Sequence, residues 1–130
     1  MNRRLIGIDY GTKRVGIAVS DEEGRMAFPK TVLPNDTYLL GSITEMCSDE
    51  KVQGIVLGES RDYKNNPNPL LDGIMLFKER LAYATSLPIY LEPEFMTSAQ
   101  AEHIQGKKAD IDASAAALIL QSFLDRGQHS

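Results

Sequence analysis

Leu5-Ile6-Gly7-Ile8-Asp9-Tyr10-Gly11-Thr12-Lys13-Arg14-Val15-Gly16-Ile17-Ala18-Val19-Ser20-Asp21 is the stretch that decides the fold. Apolar Leu5, Ile6 and Ile8 lead to a single acid, Asp9. Gly11-Thr12 and a second apolar run, Val15 to Val19, follow. The pattern predicts strand, tight turn, strand, with a carboxylate at the tip of the first strand. A charge closing a buried strand is costly unless something compensates it. Ahead of a polar turn, the compensating partner is a metal ion or a bound phosphate. The alternative is that Asp9 caps the turn through its own side-chain oxygen. Residue type alone leaves the two readings level.

The chain has 130 residues, which suits one domain with its own core. We read residues 1–126 as that domain and 127–130 as a frayed tail. Apolar residues make up 42% and charged ones 25%, a globular balance. The single cysteine, Cys47, rules out a disulfide framework and a cysteine-based zinc site. It falls on the apolar side of a helix and reads as core rather than nucleophile. Met1-Asn2-Arg3-Arg4 is positive, but Asp9 breaks the apolar segment after it, so no secretion signal is expected. No apolar run approaches the roughly 20 residues of a membrane span. A cytoplasmic protein without a membrane partner is the expectation. The net charge of −4 argues against gripping nucleic acid by bulk positive charge. It is compatible with an enzyme that meets nucleic acid through metal ions held by carboxylates.

Outward from the opening stretch, Glu22-Glu23-Gly24 signals a hairpin turn. Met26 to Leu33 reads as a third strand, broken at Pro29 and closed by Pro34, hence an edge strand. Asn35 or Asp36 is placed to cap a helix reaching Asp49, with Leu39, Leu40, Ile43 and Met46 as its apolar stripe. Val52 to Leu57 is an apolar strand covered on both faces, parallel to the first because a helix crosses over before it. A polar loop from Gly58 to Pro69 follows, then a helix from Leu70 to Thr85. Leu87 to Leu91 is the fifth strand, with Glu92-Pro93-Glu94-Phe95-Met96 as a loop beyond it. A short helix capped by Thr97 or Ser98 runs through His103. Gly106-Lys107-Lys108 is a basic turn, and a last helix spans Asp112 to Asp125. The order β-β-β-α-β-α-β-α-α predicts an α/β fold, a mixed five-stranded sheet with helices on both faces.

Ligands gather beyond the carboxyl ends of parallel strands in such sheets. Asp9 closes strand one, Glu59 follows strand four, Glu92 and Glu94 follow strand five, and Asp112 opens the last helix. Carboxylates converging on one edge repel one another unless a cation joins them. All-oxygen ligands select magnesium or manganese over zinc. Two ions about 3.5–4 Å apart would activate water and stabilise the leaving oxygen of a phosphodiester. Each acid has a plainer reading: Asp112 as a helix N-cap, Glu59 as a solvated loop residue, Glu92 and Glu94 as surface charges. His103 and His129 read as exposed rather than as ligands. Lys13, Arg14, Arg61 and Lys64 cluster by sequence around these acids and could neutralise phosphates.

Ile6 to Asp21 resembles the opening motif of the YqgF family, and Asp112-Ala113-Ser114-Ala115-Ala116-Ala117-Leu118-Ile119-Leu120-Gln121 is similar to its last helix. The resemblance covers essentially the whole chain. It implies an RNase H-like fold and the activities for which the family is described: Holliday junction resolution or pre-16S ribosomal RNA cleavage. Two places depart from the family pattern. Gly58-Glu59-Ser60 stands where Gly-Leu-Pro is usual, and Pro93-Glu94-Phe95 stands where Asp-Glu-Arg is usual. The site implied is Asp9 and Asp112, with Glu59 and Glu94 competing or cooperating for the remaining place, holding two magnesium or manganese ions.

The leading expectation is therefore a metal-dependent endonuclease acting on ribosomal RNA precursor ends or branched DNA, as monomer or homodimer. Two other classes stand beside it. One is a nucleic-acid or ribosome-associated binding module that has lost its chemistry at Pro93-Glu94-Phe95. The other is a nucleotide-binding phosphotransferase, since Asp-x-Gly-Thr also opens the sugar-kinase and actin-like ATPases. Those enclose ATP between two such domains, and this chain has the length of one.

Overall fold

Alternation of large and small apolar residues builds the sheet. The structure is a computed structural model that describes residues 2–60, 69–94 and 108–127; at 59–60, 69–72, 93–94, 108–112 and 127 it describes the backbone alone. Strands β1 (Leu5–Tyr10), β2 (Arg14–Ser20) and β3 (Ala27–Pro34) form an antiparallel meander. Helix α1 (Leu39–Asp49) crosses to β4 (Gly54–Ser60), and α2 (Pro69–Thr85) to β5 (Ile89–Glu94). Both of these strands run parallel to β1. Helix α3 (Lys108–Gly127) follows. The sheet order is β3-β2-β1-β4-β5, so the opening strand lies at the centre.

One face carries the larger core. Ile6, Ile8, Val15, Ile17, Ile55 and Leu57 pack there against Leu39, Ile43 and Cys47 of α1 and Ile74, Phe77 and Leu81 of α2. The other face is built from smaller residues. Ala18 and Val56 meet Ala116, Ile119, Leu120 and Leu124 of α3. Gly7 and Gly58 lie on this side, where an added Cβ would fall 2.7 Å from Leu120 Cβ and 2.6 Å from Ile119 Cδ1. Helices on both faces agree with the expected architecture.

Several boundaries move, each for a physical reason. Asn35 and Asp36 do not cap α1. The Asn35 amide donates to the Gly11 carbonyl at 2.7 Å, and Asp36 Oδ1 accepts from the Tyr38 N–H at 2.9 Å. These local bonds turn the chain out of β3, and the helix starts after Tyr38. Val52 lies before β4 because its N–H closes back on the Cys47 carbonyl at 3.1 Å. Gly58-Glu59-Ser60 and Glu92-Pro93-Glu94 are strand, not loop: they pair with each other, Gly58 with Glu92 through Ser60 with Glu94. Helix α3 begins at Lys108, so Asp112 lies a turn inside it and is not its N-cap. Gly127 ends that helix rather than opening a frayed tail. The short helix expected at 97–103, with His103, lies outside the described residues, as does His129. The irregular third strand is the sheet's edge, as expected. Its register shifts between Pro29 and Thr31, leaving Lys30 as a bulge that blunts the edge.

Cys47 is buried in the core, and burial pushes its thiol up to about 11, so it is neutral and inert at neutral pH. No helix among the described residues is long and apolar enough to cross a membrane.

The β2–β3 turn is held by Asp21. Its Oδ1 accepts from the N–H groups of Arg25 at 2.8 Å and Met26 at 3.2 Å, and Gly24 takes φ +70°. Those backbone donors hold the Asp21 carboxyl below its ordinary value of 3.8. A depressed carboxyl stabilises the fold above the unfolded value, and that contribution is lost as pH falls through the folded one. Asp21→Asn should therefore melt below wild type at pH 6, and the gap should close as pH drops below about 3.8. Paired thermal melts across that window check it; a gap that does not narrow as pH falls below about 3.8 contradicts it.

Candidate functional site

Asp9 reaches the carboxyl edge of the sheet because the turn after it is too tight for a side chain. A Cβ on Gly11 would lie 2.4 Å from the Arg14 carbonyl oxygen, so only glycine closes this turn. The Asn35 amide holds the Gly11 carbonyl from the other side. Asp9 pairs across to Gly16 and is half-buried. Lys13 is exposed at the turn, and Arg14, half-buried, opens β2.

Strand alternation then sorts the acids by face. Asp9 is in phase with Gly7, which lies under α3, while Tyr10 packs on Phe77 of α2 at 4.9 Å between ring centroids. On β5, Tyr90 meets Phe123 of α3 at 5.1 Å, so Tyr90, Glu92 and Glu94 share the α3 phase. On β4, Glu59 is in phase with Ile55 and Leu57, which belong to the opposite core. The β4–β5 pairing runs without a shift from Ile55 opposite Ile89 to Ser60 opposite Glu94. Backbone register thus puts positions 9 and 94 on one side of the sheet and position 59 on the other. On α3, Asp112 lies one turn before Ala116 on the stripe that continues to Ala116, Ile119 and Leu120. That stripe is the one packed over Gly7 and Gly58.

Glu92 is neither a ligand candidate nor a surface charge. It is 4% exposed, accepts from Ser122 Oγ at 3.0 Å and pairs with the Arg126 guanidinium, both on α3. The surface reading fails because Glu92 shares its face with the helix that covers it. The sequence signal for this arrangement is the spacing of Ser122 and Arg126, four residues apart on one helix face. Without the partner strand, that spacing points nowhere in particular. On the other flank of α3, Gln121 accepts from the Ala27 N–H at 2.9 Å and donates to the Arg25 carbonyl at 3.0 Å.

Among the residues with described side chains, no three acids, histidines or cysteines come together as a metal cluster. Three of the four candidates, Glu59, Glu94 and Asp112, are described by backbone alone. Arg61 and Lys64 lie outside the described residues. The backbone register puts positions 9 and 94 on the face of the sheet that α3 covers, and Asp112 four residues into that helix.

Known proteins resemble this chain in sequence and in fold. The RuvX family, described as Holliday junction resolvase, matches residues 3–126. A protein of Nitratidesulfovibrio vulgaris (strain DSM 19637 / Miyazaki F) is 35% identical, over 94% of this chain and 93% of its own length. One from Rickettsia canadensis (strain McKiel) is 34% identical, over 95% and 87%. Both bear the name "Putative pre-16S rRNA nuclease". Among solved structures, Thermus thermophilus RuvC in complex with Holliday junction substrate aligns with a TM-score of 0.67 at 13% identity, over 98% of this chain and 96% of that one. At that identity the likeness speaks for the RNase H-like fold alone. The motif at the sheet's centre, the strand order and the match over residues 3–126 agree: the chain belongs to the RuvX (YqgF) family.

Proposed function

We propose that the chain is a divalent-metal-dependent endonuclease that hydrolyses phosphodiester bonds in structured nucleic acid. Its substrates would be ribosomal RNA precursor ends or four-way DNA junctions. What supports this reading is strand register: positions 9 and 94 fall on the face of the sheet that α3 covers, and Asp112 belongs to that helix. Family membership and the names of its relatives support it.

The donor set suits the metal. All three groups are carboxylates, the hard oxygen ligands of magnesium or manganese, and an unneutralised cluster of this kind would repel itself. When bound, the cation supplies Lewis-acid stabilisation of the phosphoryl oxygens and makes water a competent nucleophile at neutral pH. Asp9, on the central strand, is the fixed point. Glu94 from β5 and Asp112 from α3 would complete the shell. Glu59 is assigned no part in it. Lys13 and Arg14, next to Asp9 in the turn and at the start of β2, neutralise flanking phosphates and set the strand's register. Arg61 and Lys64 join them on sequence grounds.

The test is cleavage of end-labelled four-way junction DNA and of a pre-16S rRNA fragment by the purified protein, with magnesium or manganese and with chelator. Cleavage of either substrate that chelator abolishes is the expected result. Cleavage of neither, at enzyme in excess over substrate, overturns the proposal.

A further inference from the structure

The Glu92–Ser122–Arg126 cluster is built on a buried carboxylate that the proposed chemistry does not use. Burying a carboxylate to 4% exposure is costly, and its partner Arg126 has a side chain 59% exposed. Such pairs add little net stability compared with well-packed apolar side chains of similar volume. A stability role is therefore a weak reason for the group, and its location suggests another. Glu92 stands two residues before Glu94 on the same strand and the same face. Ser122 and Arg126 lie on the helix that carries Asp112, ten and fourteen residues further on.

Helix α3 lies close against the sheet at Gly7, through Ala116 and Leu120. Beyond that point it is tied on two flanks, to β3 by Gln121 and to β5 by Ser122 and Arg126. Asp112 lies on the other side of Gly7, about 15 Å of helix from Ser122 at 1.5 Å per residue. A rigid helix on a pivot acts as a lever. A tilt of about 6° moves Asp112, roughly 9 Å of helix from that pivot, by about 1 Å, and misplacement on that scale costs catalysis about 100-fold. Resting on the nuclease reading above, we propose that Glu92, Ser122 and Arg126 are positioning residues. They set the angle of α3 over β5 and so the separation of Asp112 from Glu94 and Asp9. The hydrogen-bonded geometry supplies what an apolar contact lacks, a single angle.

The test replaces the charged pair with apolar side chains, Glu92→Met with Arg126→Met, in the full chain. Three quantities are compared with wild type: melting temperature, manganese affinity of the substrate-free protein by electron paramagnetic resonance, and steady-state cleavage. The clamp predicts a melting temperature within a few degrees of wild type or above it, by the general behaviour of such replacements. It also predicts manganese binding weakened about 10-fold and kcat lowered about 10-fold or more, with KM within about two-fold. Manganese affinity and kcat within two-fold of wild type overturn the proposal, as does a loss of activity fully accounted for by unfolding at the assay temperature. If the double variant does not fold, Ser122→Ala decides, since it leaves both charges in place. Manganese binding weakened about three-fold supports the clamp, and unchanged binding overturns it. Asp9→Asn separates the two readings. If it cleaves as wild type does, the nuclease reading fails. If it is inactive while the double variant behaves as wild type, only the clamp fails.

Discussion

Glu94→Gln should lower metal-dependent cleavage by about 100-fold to 1,000-fold, close to the effect of Asp9→Asn, while Glu59→Gln should stay within a few-fold of wild type. The amide keeps the shape of the side chain and removes the negative charge that holds a cation. Loss of one charged ligand from a shell of hard oxygens weakens both binding and charge stabilisation, and single electrostatic groups in such sites account for 100-fold to 1,000-fold effects. The difference between the two glutamates comes from strand parity. Glu94 is in phase with Tyr90 and Glu92, which meet α3, and Glu59 is in phase with Ile55 and Leu57, which face α1 and α2. Shifting a strand by one residue would reverse that assignment, but the β4–β5 pairing is continuous over six residue pairs. Cleavage rates for the three variants at saturating manganese decide it. Equal losses for Glu59→Gln and Glu94→Gln would mean that the acids meet around the edge rather than on one face, and a loss confined to Glu59→Gln would reverse the assignment. Melting temperatures serve as the control, and both Gln variants should fold.

The choice between these two glutamates shows where the sequence stops being legible. The central hairpin was readable because its code is local: apolar alternation, an acid, Gly11 for a turn that admits no Cβ, alternation again. The edge strand was readable because Pro29 and Pro34 each lack a backbone donor, and its bulge falls beside Pro29. By contrast, Gly58-Glu59-Ser60 and Glu92-Pro93-Glu94 are polar, and the second contains a proline, so each alone looks like a loop. They are strands because each supplies the other's partner, a long-range fact that no window of sequence contains. The same holds for Asp112. An acid before an alanine run reads as a cap, but the helix starts four residues earlier, at Lys108. The set of candidate acids was legible. Their sides of the sheet were not, because parity needs the register and the register needs the partner strand.

Gly7→Val should destabilise the protein by about 3 kcal/mol, the upper end of what overpacking a core typically costs. For a chain of this size that lowers the melting temperature by roughly 10 °C. A Cβ at Gly7 would sit 2.7 Å from Leu120 Cβ and 3.0 Å from the Ala116 carbonyl oxygen. Neither atom is the free end of a side chain. One is fixed to the helix backbone and the other belongs to it, so relief requires moving α3 off the sheet. Gly58 provides the contrast. Its nearest obstacle is closer, at 2.6 Å, but it is Ile119 Cδ1, the tip of a side chain that can change rotamer; the nearest backbone atom, the Ile8 carbonyl oxygen, is 3.4 Å away. Gly7→Ala should therefore cost more than Gly58→Ala, about 2 kcal/mol against about 1 or less, reversing the order of the two shortest distances. Urea unfolding of the two alanine variants measures the difference, and Gly58→Ala proving the more costly would contradict the account. Because Gly7 is also the point about which α3 would tilt, Gly7→Ala should lose more cleavage activity than its stability loss explains. Asp112 rides on the arm that the added methyl group lifts.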